Sequence, residues 1–264
     1  MLNKLQIKRF PQLRGRFVFC YTFFFFSVLF IPEQVTAQTK EQDNNSIKNQ
    51  QIWIDFYPHY FVNEKLEYYG DAGFRSIVTE RNWSRIYARP SLRYHANKTF
   101  ELQTGLGLFY IFYNSSSNQF EVTPWQGFQV NWPTLTRFKF KHLFKIEERF
   151  SFDTENWDSN FEFRFRYKLF GKLSFVRANK WYIPFYGELF IPIKGEIQEL
   201  YRNKGRAGLG LGYKPDKDWQ VAFVFNWQGS RTGVNEGRNV SDYIYQIKIR
   251  KVWNGSIVKR KSLN

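Results

Sequence analysis

Apolar and charged side chains alternate one by one along the segment between Arg137 and Leu173. In FEFRFRY, residues 161–167, an aromatic side chain stands at every odd position and Glu or Arg at every even one. A period of two is that of a β-strand, whose successive side chains point to opposite faces. Strands of soluble sandwiches rarely have one wholly aromatic face and one wholly charged face. The pattern is typical of a transmembrane barrel, with aromatics toward lipid and ionisable groups toward a wet lumen.

Similar runs, separated by turn signals, continue from Ile52 to Trp253, without a helical period, an internal repeat or a second domain. The runs are Ile52–Val62, Leu66–Val78, Trp83–Tyr94, Thr99–Tyr113, Phe120–Trp132, the two halves of Arg137–Leu173, Trp181–Ile193, Arg206–Tyr213, Trp219–Trp227 and Asp242–Trp253. Bacterial single-chain barrels have an even number of strands. We therefore predict an all-β fold, a transmembrane antiparallel up-and-down β-barrel of about twelve strands, with ten as the alternative. A strand missed by the pattern would lie near residues 194–204 or 229–239.

The composition supports a barrel over a helical membrane protein. Aromatic residues make up 21% of the chain, yet the mean hydropathy is -0.52. A chain that is rich in aromatics but hydrophilic overall fits a barrel with an apolar outer wall and a polar interior. A secreted β-sandwich is the alternative.

Residues 1–37 are predicted to be a secretory signal peptide. A charged segment from Lys4 to Arg16 precedes an apolar stretch, Phe17–Ile31, that is shorter than a membrane-spanning helix. The small residues before Gln38 fit cleavage after Ala37, and an uncleaved signal anchor is the alternative. Cys20, the only cysteine, lies inside this segment, so the mature chain would have no disulfide. We expect a flexible periplasmic lead-in over 38–51, an outer-membrane barrel with a short tail over 52–264, and the outer membrane of a Gram-negative bacterium as the location.

The chain is strongly basic, with a formal net charge of +16 that stays positive without residues 1–37. A basic surface favours anionic partners. We expect outer-membrane lipid and lipopolysaccharide as partners, the barrel-assembly machinery during insertion, and small anions as an open possibility for the lumen. Nucleic acid would require a cytoplasmic location, which the secretory segment argues against.

Acids and bases share the inward faces of the two central runs. We predict a lumen charge network of six side chains on two neighbouring strands, where cross-strand residues lie about 5 Å apart: Lys145, Glu147, Arg149, Glu162, Arg164 and Arg166. Three further lumen-facing arginines are predicted on an earlier run: Arg85, Arg89 and Arg93. The network either fills and rigidifies a narrow lumen or lines it for small anions or a partner.

Catalytic chemistry has little support in the residue pattern. Of the three histidines, His59 would face inward near Asp55, His95 would lie at a turn, and His142 would lie on the aromatic face. No spacing predicts a metal site, a phosphate-binding loop or a serine elbow, so we expect no metal or cofactor. His142 beside a serine on the outer wall would suit a lipid hydrolase, but a girdle position at the membrane edge is the favoured explanation.

Several short motifs in a fixed order resemble a known family over residues 51–253. They are Trp53 with Asp55, Arg89-Pro90, Glu121 with Pro124-Trp125-Gln126, Glu147 with Arg149, Arg164 with Arg166-Tyr167, Glu188 with Phe190, and the GLGY of Gly210–Tyr213. The chain resembles an uncharacterised outer-membrane barrel family of Bacteroidetes-type bacteria, the domain of unknown function DUF2490. Lys145 departs from an arginine that is frequent there, and a lysine cannot form the bidentate fork. The resemblance implies a barrel in the outer membrane and no particular activity.

Three functions remain open on the sequence alone. The first is an outer-membrane barrel of unknown specific activity that forms a narrow or plugged channel with a basic lining. The second is an outer-membrane enzyme that modifies lipid or lipopolysaccharide, and the third is a barrel that binds a partner through its loops. The absence of a clear nucleophile and base makes an enzyme the less favoured of these.

Overall fold

The alternating runs fold as strands of a single sheet in the computed structural model, which describes residues 47–79, 83–133, 135, 137–175, 180–194, 202–231 and 239–254. All of them belong to one compact unit, Asn44–Asn264. The described residues form thirteen strand segments. These are β1 Ile47–Phe61, β2 Leu66–Tyr69, β3 Asp71–Ile77, β4 Trp83–Arg89, β5 Ser91–His95, β6 Phe100–Tyr113, β7 Gln119–Asn131, β8 Phe138–Asp153, β9 Ser159–Ser174, β10 Trp181–Lys194, β11 Arg202–Tyr213, β12 Trp219–Arg231 and β13 Asn239–Asn254.

Two of the predicted runs are single strands with a break in the middle. β2 and β3 meet at Gly70, where an added Cβ would lie 2.9 Å from the carbonyl oxygen of Arg89. β4 and β5 meet at Pro90, which has no N–H to donate to the ladder. The two breaks are neighbours, since Asp71 pairs with Arg89. Gly73 lies inside β3, where an added Cβ would meet the Ile54 carbonyl and the Asp55 carboxylate.

The sheet closes into a barrel through a parallel pair. When β2 and β3 are taken as one strand, and β4 and β5 as another, each strand pairs antiparallel with its neighbours in sequence. β1 then pairs with β13 in parallel, with Ile54 opposite Ile247. With the broken strands counted once, the described residues make eleven strands around the barrel. This total lies between the predicted ten and twelve, but it is odd. A ring with an odd number of strands cannot be antiparallel throughout, so one neighbouring pair has to be parallel. A missed strand was predicted near 194–204 or 229–239. The described residues next to 195–201 and 232–238 belong to the ends of β11, β12 and β13 and form no further strand.

β1 begins earlier than the sequence pattern indicated. Residues 47–51, which we predicted as the end of a flexible lead-in, pair with Val240–Ile244 of β13. The polar sequence here misled the prediction, because Asn49 and Gln51 point into a polar lumen, where both are buried. The rest of the lead-in, the predicted signal peptide and residues 255–264 lie outside the described residues.

Polarity is inverted relative to a soluble protein. The outward face carries large apolar side chains, such as Ile54 at 46% exposure and Phe223 at 51%, whereas Asp55 beside Ile54 is fully buried. Buried polar and charged side chains outnumber buried apolar ones among the described residues. Phe161, Phe163 and Phe165 face outward, as predicted. None of the described residues belongs to a helix long and apolar enough to cross a membrane.

Candidate functional site

The six side chains of the predicted lumen network lie together on the inward faces of β8 and β9. The strand register sets Lys145 opposite Arg166, Glu147 opposite Arg164, and Arg149 opposite Glu162. Two of these three cross-strand pairs join an acid to a base, and the third sets two cations side by side. The geometry joins them into one continuous set of ion pairs.

Glu147 is the centre of this set. Its carboxylate accepts hydrogen bonds from Arg164, at 2.7 Å, and from Arg166. The ammonium nitrogen of Lys145 lies 3.2 Å from its Oε1 atom. Because the Glu147 side chain is only 4% exposed, these three cations replace the water that the carboxylate would otherwise bind.

The network extends beyond the predicted residues to three neighbouring strands. On β7, Glu121 receives two hydrogen bonds from Arg149, at 2.7 and 3.0 Å. On β10, Glu188 accepts from Arg166 and from Lys168, the latter at 3.2 Å. On β11, Arg206 lies 3.5 Å from Glu188. We call this set of ion pairs the central network: Glu121, Lys145, Glu147, Arg149, Glu162, Arg164, Arg166, Lys168, Glu188 and Arg206.

Polar contacts continue from the central network to the parallel pair that closes the barrel. Arg206 donates to the Gln228 side-chain oxygen at 2.9 Å, and Gln228 donates to Asp242 at 3.0 Å. Asp242 in turn accepts from Asn49 of β1 at 3.2 Å. Hydrogen bonds thus connect the lumen faces from β7 round to β1.

An aromatic and arginine stack crosses the lumen at the level of the central network. The Trp53 ring lies between two guanidinium groups, those of Arg75 at 3.8 Å and Arg206 at 4.6 Å from its centroid. Trp53 is 2% exposed, so both cation–π contacts are shielded from water. Arg166 makes a further cation–π contact, with its guanidinium carbon 4.8 Å from the centroid of the Phe190 ring. Because β1 and β11 are not neighbours in the sheet, the Trp53–Arg206 contact spans the interior.

A second group of charges lies toward the end of the barrel where β1 ends. Glu67 contacts three cationic or ionisable groups: His59 at 2.5 Å, Arg93 at 3.0 Å and His95 at 3.1 Å. Glu101 contacts His95 at 3.3 Å and Arg93 at 3.2 Å. The sequence placed His95 in a turn, but it is the last residue of β5 and points inward. The alternation along β5 would have predicted that His95 points inward. The contacts of Glu67 could be predicted only with knowledge of which strands pair.

The three other predicted arginines all face the lumen, in different surroundings. Arg89 forms a two-point pair with Asp71, and Arg93 belongs to the Glu67 group. Arg85 lies over the rings of Trp83 and Phe109, at 5.6 and 5.4 Å. They do not form one cluster, because they lie at successive levels along the same strand.

His142, the residue considered for a lipid hydrolase, lies on the outer face. Its Nδ1 atom is 2.7 Å from the Tyr167 hydroxyl, and its ring lies tilted against that of Trp132, with centroids 5.7 Å apart. The contact is thus with a tyrosine on the neighbouring strand. Within the described ranges, no three His, Cys, Asp or Glu side chains form a group that could hold a metal ion.

Two cavities lie in the lumen, on either side of a common layer. A cavity of about 340 Å³, here called the lumen pocket, lies toward the end where β1 ends, and a smaller one of about 90 Å³ lies within the central network. Five side chains line both and separate them: Tyr57, Arg89, Arg166, Lys168 and Lys248. Four of these five shared side chains are charged.

Comparison with known proteins places this architecture in a family. No curated protein matches the chain. A family model described as a protein of unknown function (DUF2490) matches residues 50–238, which is well over half of the chain. The match covers β1 through β12, including every member of the central network. The chain, a β-barrel, thus belongs to the DUF2490 family of unknown function, the family that the short motifs resembled.

Proposed function

We propose that this protein is an outer-membrane β-barrel whose narrow lumen is closed at mid-height by the central network. The outward face supports a lipid environment, because it exposes aromatic and aliphatic side chains on strand after strand. A protein in water would expose such a continuous apolar wall only at a large cost in solvation. The sequence of residues 1–37 supports export from the cytoplasm.

The observation that carries the closed lumen is the burial of Arg149. A guanidinium group inside a water-filled pore would keep much of its surface exposed, but the Arg149 side chain is 2% exposed. Three of its nitrogens donate to Glu121 and Glu162 at distances of 2.7 to 3.0 Å. The cavity within this layer measures about 90 Å³, enough for a few water molecules. The basic lining therefore fills the barrel rather than surrounding an open channel.

Fractionation and electrophoresis test the location and the fold together. We expect the protein in the outer-membrane fraction, with a faster-migrating band in unheated samples that disappears on boiling. Recovery from the soluble periplasm without a heat-dependent band would contradict the membrane location.

Conductance in a planar bilayer tests the closed lumen separately. We expect no steady conductance from the wild type at physiological salt. The double variant Glu121→Ala and Arg149→Ala removes the most buried pair and should open a measurable pore. A large, steady, anion-selective current through the wild type would contradict the proposal of a closed barrel.

A further inference from the structure

Two cations of the lumen pocket form no close ion pair. Lys248 and Arg250 lie on the inward face of β13 and line the pocket, and no described carboxylate lies within 4 Å of either, although Asp55 stands opposite Lys248 in the strand register. Lys248 contacts the Tyr186 ring at 5.1 Å, and Arg250 lies 3.5 Å from Nδ1 of His59. The pocket's other cations are all paired with acids: Arg89 with Asp71, Lys145 with Glu147, and Arg166 and Lys168 with Glu188.

Two residues that line the pocket also have hydrogen-bond donors without an acceptor. Trp125 lines the pocket and is 3% exposed, yet its indole N–H has no acceptor among the described residues. The Nε–H of Arg250 is likewise buried without an acceptor. Buried donors in native proteins almost always have a partner, so each such group needs an explanation. An acceptor that enters the pocket would supply it.

The wall next to these cations is apolar. Ala222 pairs with Lys248 in the strand register, so an apolar and a cationic residue are neighbours across β12 and β13. It is formed by side chains of β8, β9, β10 and β12: Leu143, Phe170, Tyr182, Pro184 and Ala222. A volume of about 340 Å³ is at the lower end of the range for small-molecule sites. The pocket thus combines a cationic corner with an apolar wall.

The route into the pocket is also basic. Lys172 and Lys214 lie on either side of Tyr182, each with its nitrogen 5.6 Å from the ring centroid. Lys214 belongs to the 214–218 connection at the end of the barrel where β1 ends. Burial, and after it the charges of Lys139 and Arg250, lowers the pKa of Lys214. Cations crowded at one mouth attract anions toward the pocket.

We propose that the lumen pocket binds a small phosphate monoester that carries a short apolar body. Two unpaired cations match the two negative charges of a monoester, and the free N–H groups of Trp125 and Arg250 match its oxygens. The apolar body would lie against Phe170 and Ala222. This inference goes beyond the proposed closed barrel, since binding in the pocket depends neither on conduction nor on the membrane location.

Calorimetric titration of the purified protein in detergent micelles, with a protein-free micelle blank, tests the inference. The probes are hexyl phosphate, inorganic phosphate, hexanoate and hexanol. We expect saturable binding of hexyl phosphate at least about tenfold tighter than that of the other three, because only this probe uses both the cations and the apolar wall. No saturable heat, or equal binding of any of the other probes, would overturn the proposal.

Variants then locate the site. Arg250→Gln should weaken hexyl phosphate at least about tenfold, and it leaves no acid unpaired, so folding should be unaffected. Ala222→Phe fills the pocket without a change of charge and should abolish binding. Lys217→Gln removes an exposed cation from the 214–218 connection and is the control, with affinity within about twofold of the wild type. Unchanged affinity in both Arg250→Gln and Ala222→Phe would overturn the assignment, and either variant alone provides the test if the other fails to fold.

Discussion

Removal of the charge on Glu147 is the most direct test of a packed lumen. The Glu147→Gln variant keeps the shape of the side chain but takes one negative charge from among three cations. Arg164 and Arg166 keep Glu162 and Glu188 as second acidic partners, whereas Lys145 keeps only the Trp125 ring, 3.6 Å away. The variant therefore leaves a buried ammonium group without a counter-charge.

Loss of one partner from a buried ion pair costs about 3–5 kcal/mol. With an m value of about 2 kcal/mol per molar urea, we expect the unfolding midpoint to fall by about 2 M. Salt should change this shift little, because buried charges are poorly screened. The assay is urea unfolding of the protein refolded in lipid, at low and high salt.

Two further variants serve as controls for Glu147→Gln. Lys145→Met combined with Glu147→Gln removes both charges, and it should recover much of the lost stability. Glu155→Gln, in the exposed turn after β8, removes the same charge from solvent and should shift the midpoint by no more than about 0.5 M. If Glu147→Gln shifted the midpoint no more than Glu155→Gln does, the lumen would be solvated and the idea of a packed network would be refuted.

Other expected outcomes concern the outer wall and the glycines. Phe163→Arg places a charge on the outward face, which should cost about 2–4 kcal/mol in a bilayer and should remove the heat-modifiable band. Arg164→Gln, on the inward face, should still assemble. Equal tolerance of both variants would show that the two faces are assigned wrongly. Gly210→Ala should lower the free energy of unfolding, measured by urea titration, by about 1–3 kcal/mol, because its Cβ would collide with the Phe223 carbonyl. Gly187→Ala, with nothing within 4 Å of the added Cβ, should be neutral, and a similar loss in both variants would contradict the packing seen at Gly210.

The two faces of each strand could be predicted from sequence because alternation is a local property. Phe161 and Glu162 must point to opposite sides in any β-strand. The contacts across the lumen could not be predicted, since they depend on register and closure. Trp53 and Arg206 lie on strands that meet only when the barrel is complete, and neither residue's neighbours in sequence reveal the other. The same holds for Glu188: the alternation along its strand predicts that the side chain points inward, but it does not predict which arginines the side chain contacts.

The structure fits the predicted barrel of about twelve strands, and the difference between twelve and eleven has a separate cause. The alternating runs numbered eleven, and a general rule about even barrels led to a prediction of twelve. That rule rests on closure between antiparallel strands. Nothing in the local pattern distinguishes a parallel closing pair, because β1 and β13 alternate in the same way in either direction.

The parallel pairing of β1 and β13 also fixes where the chain enters and leaves the barrel. After an odd number of passes, Asn254 lies beside Phe61, at the rim opposite to Ile47. A peptide that joined the two ends would have to run the full height of the wall, roughly 50 Å along the 15 residues of β1. Circular permutation through a short linker is therefore ruled out by geometry. Labels attached beside Ile47 and beside Asn254 would be reached from opposite sides of any sheet of lipid that the barrel crosses.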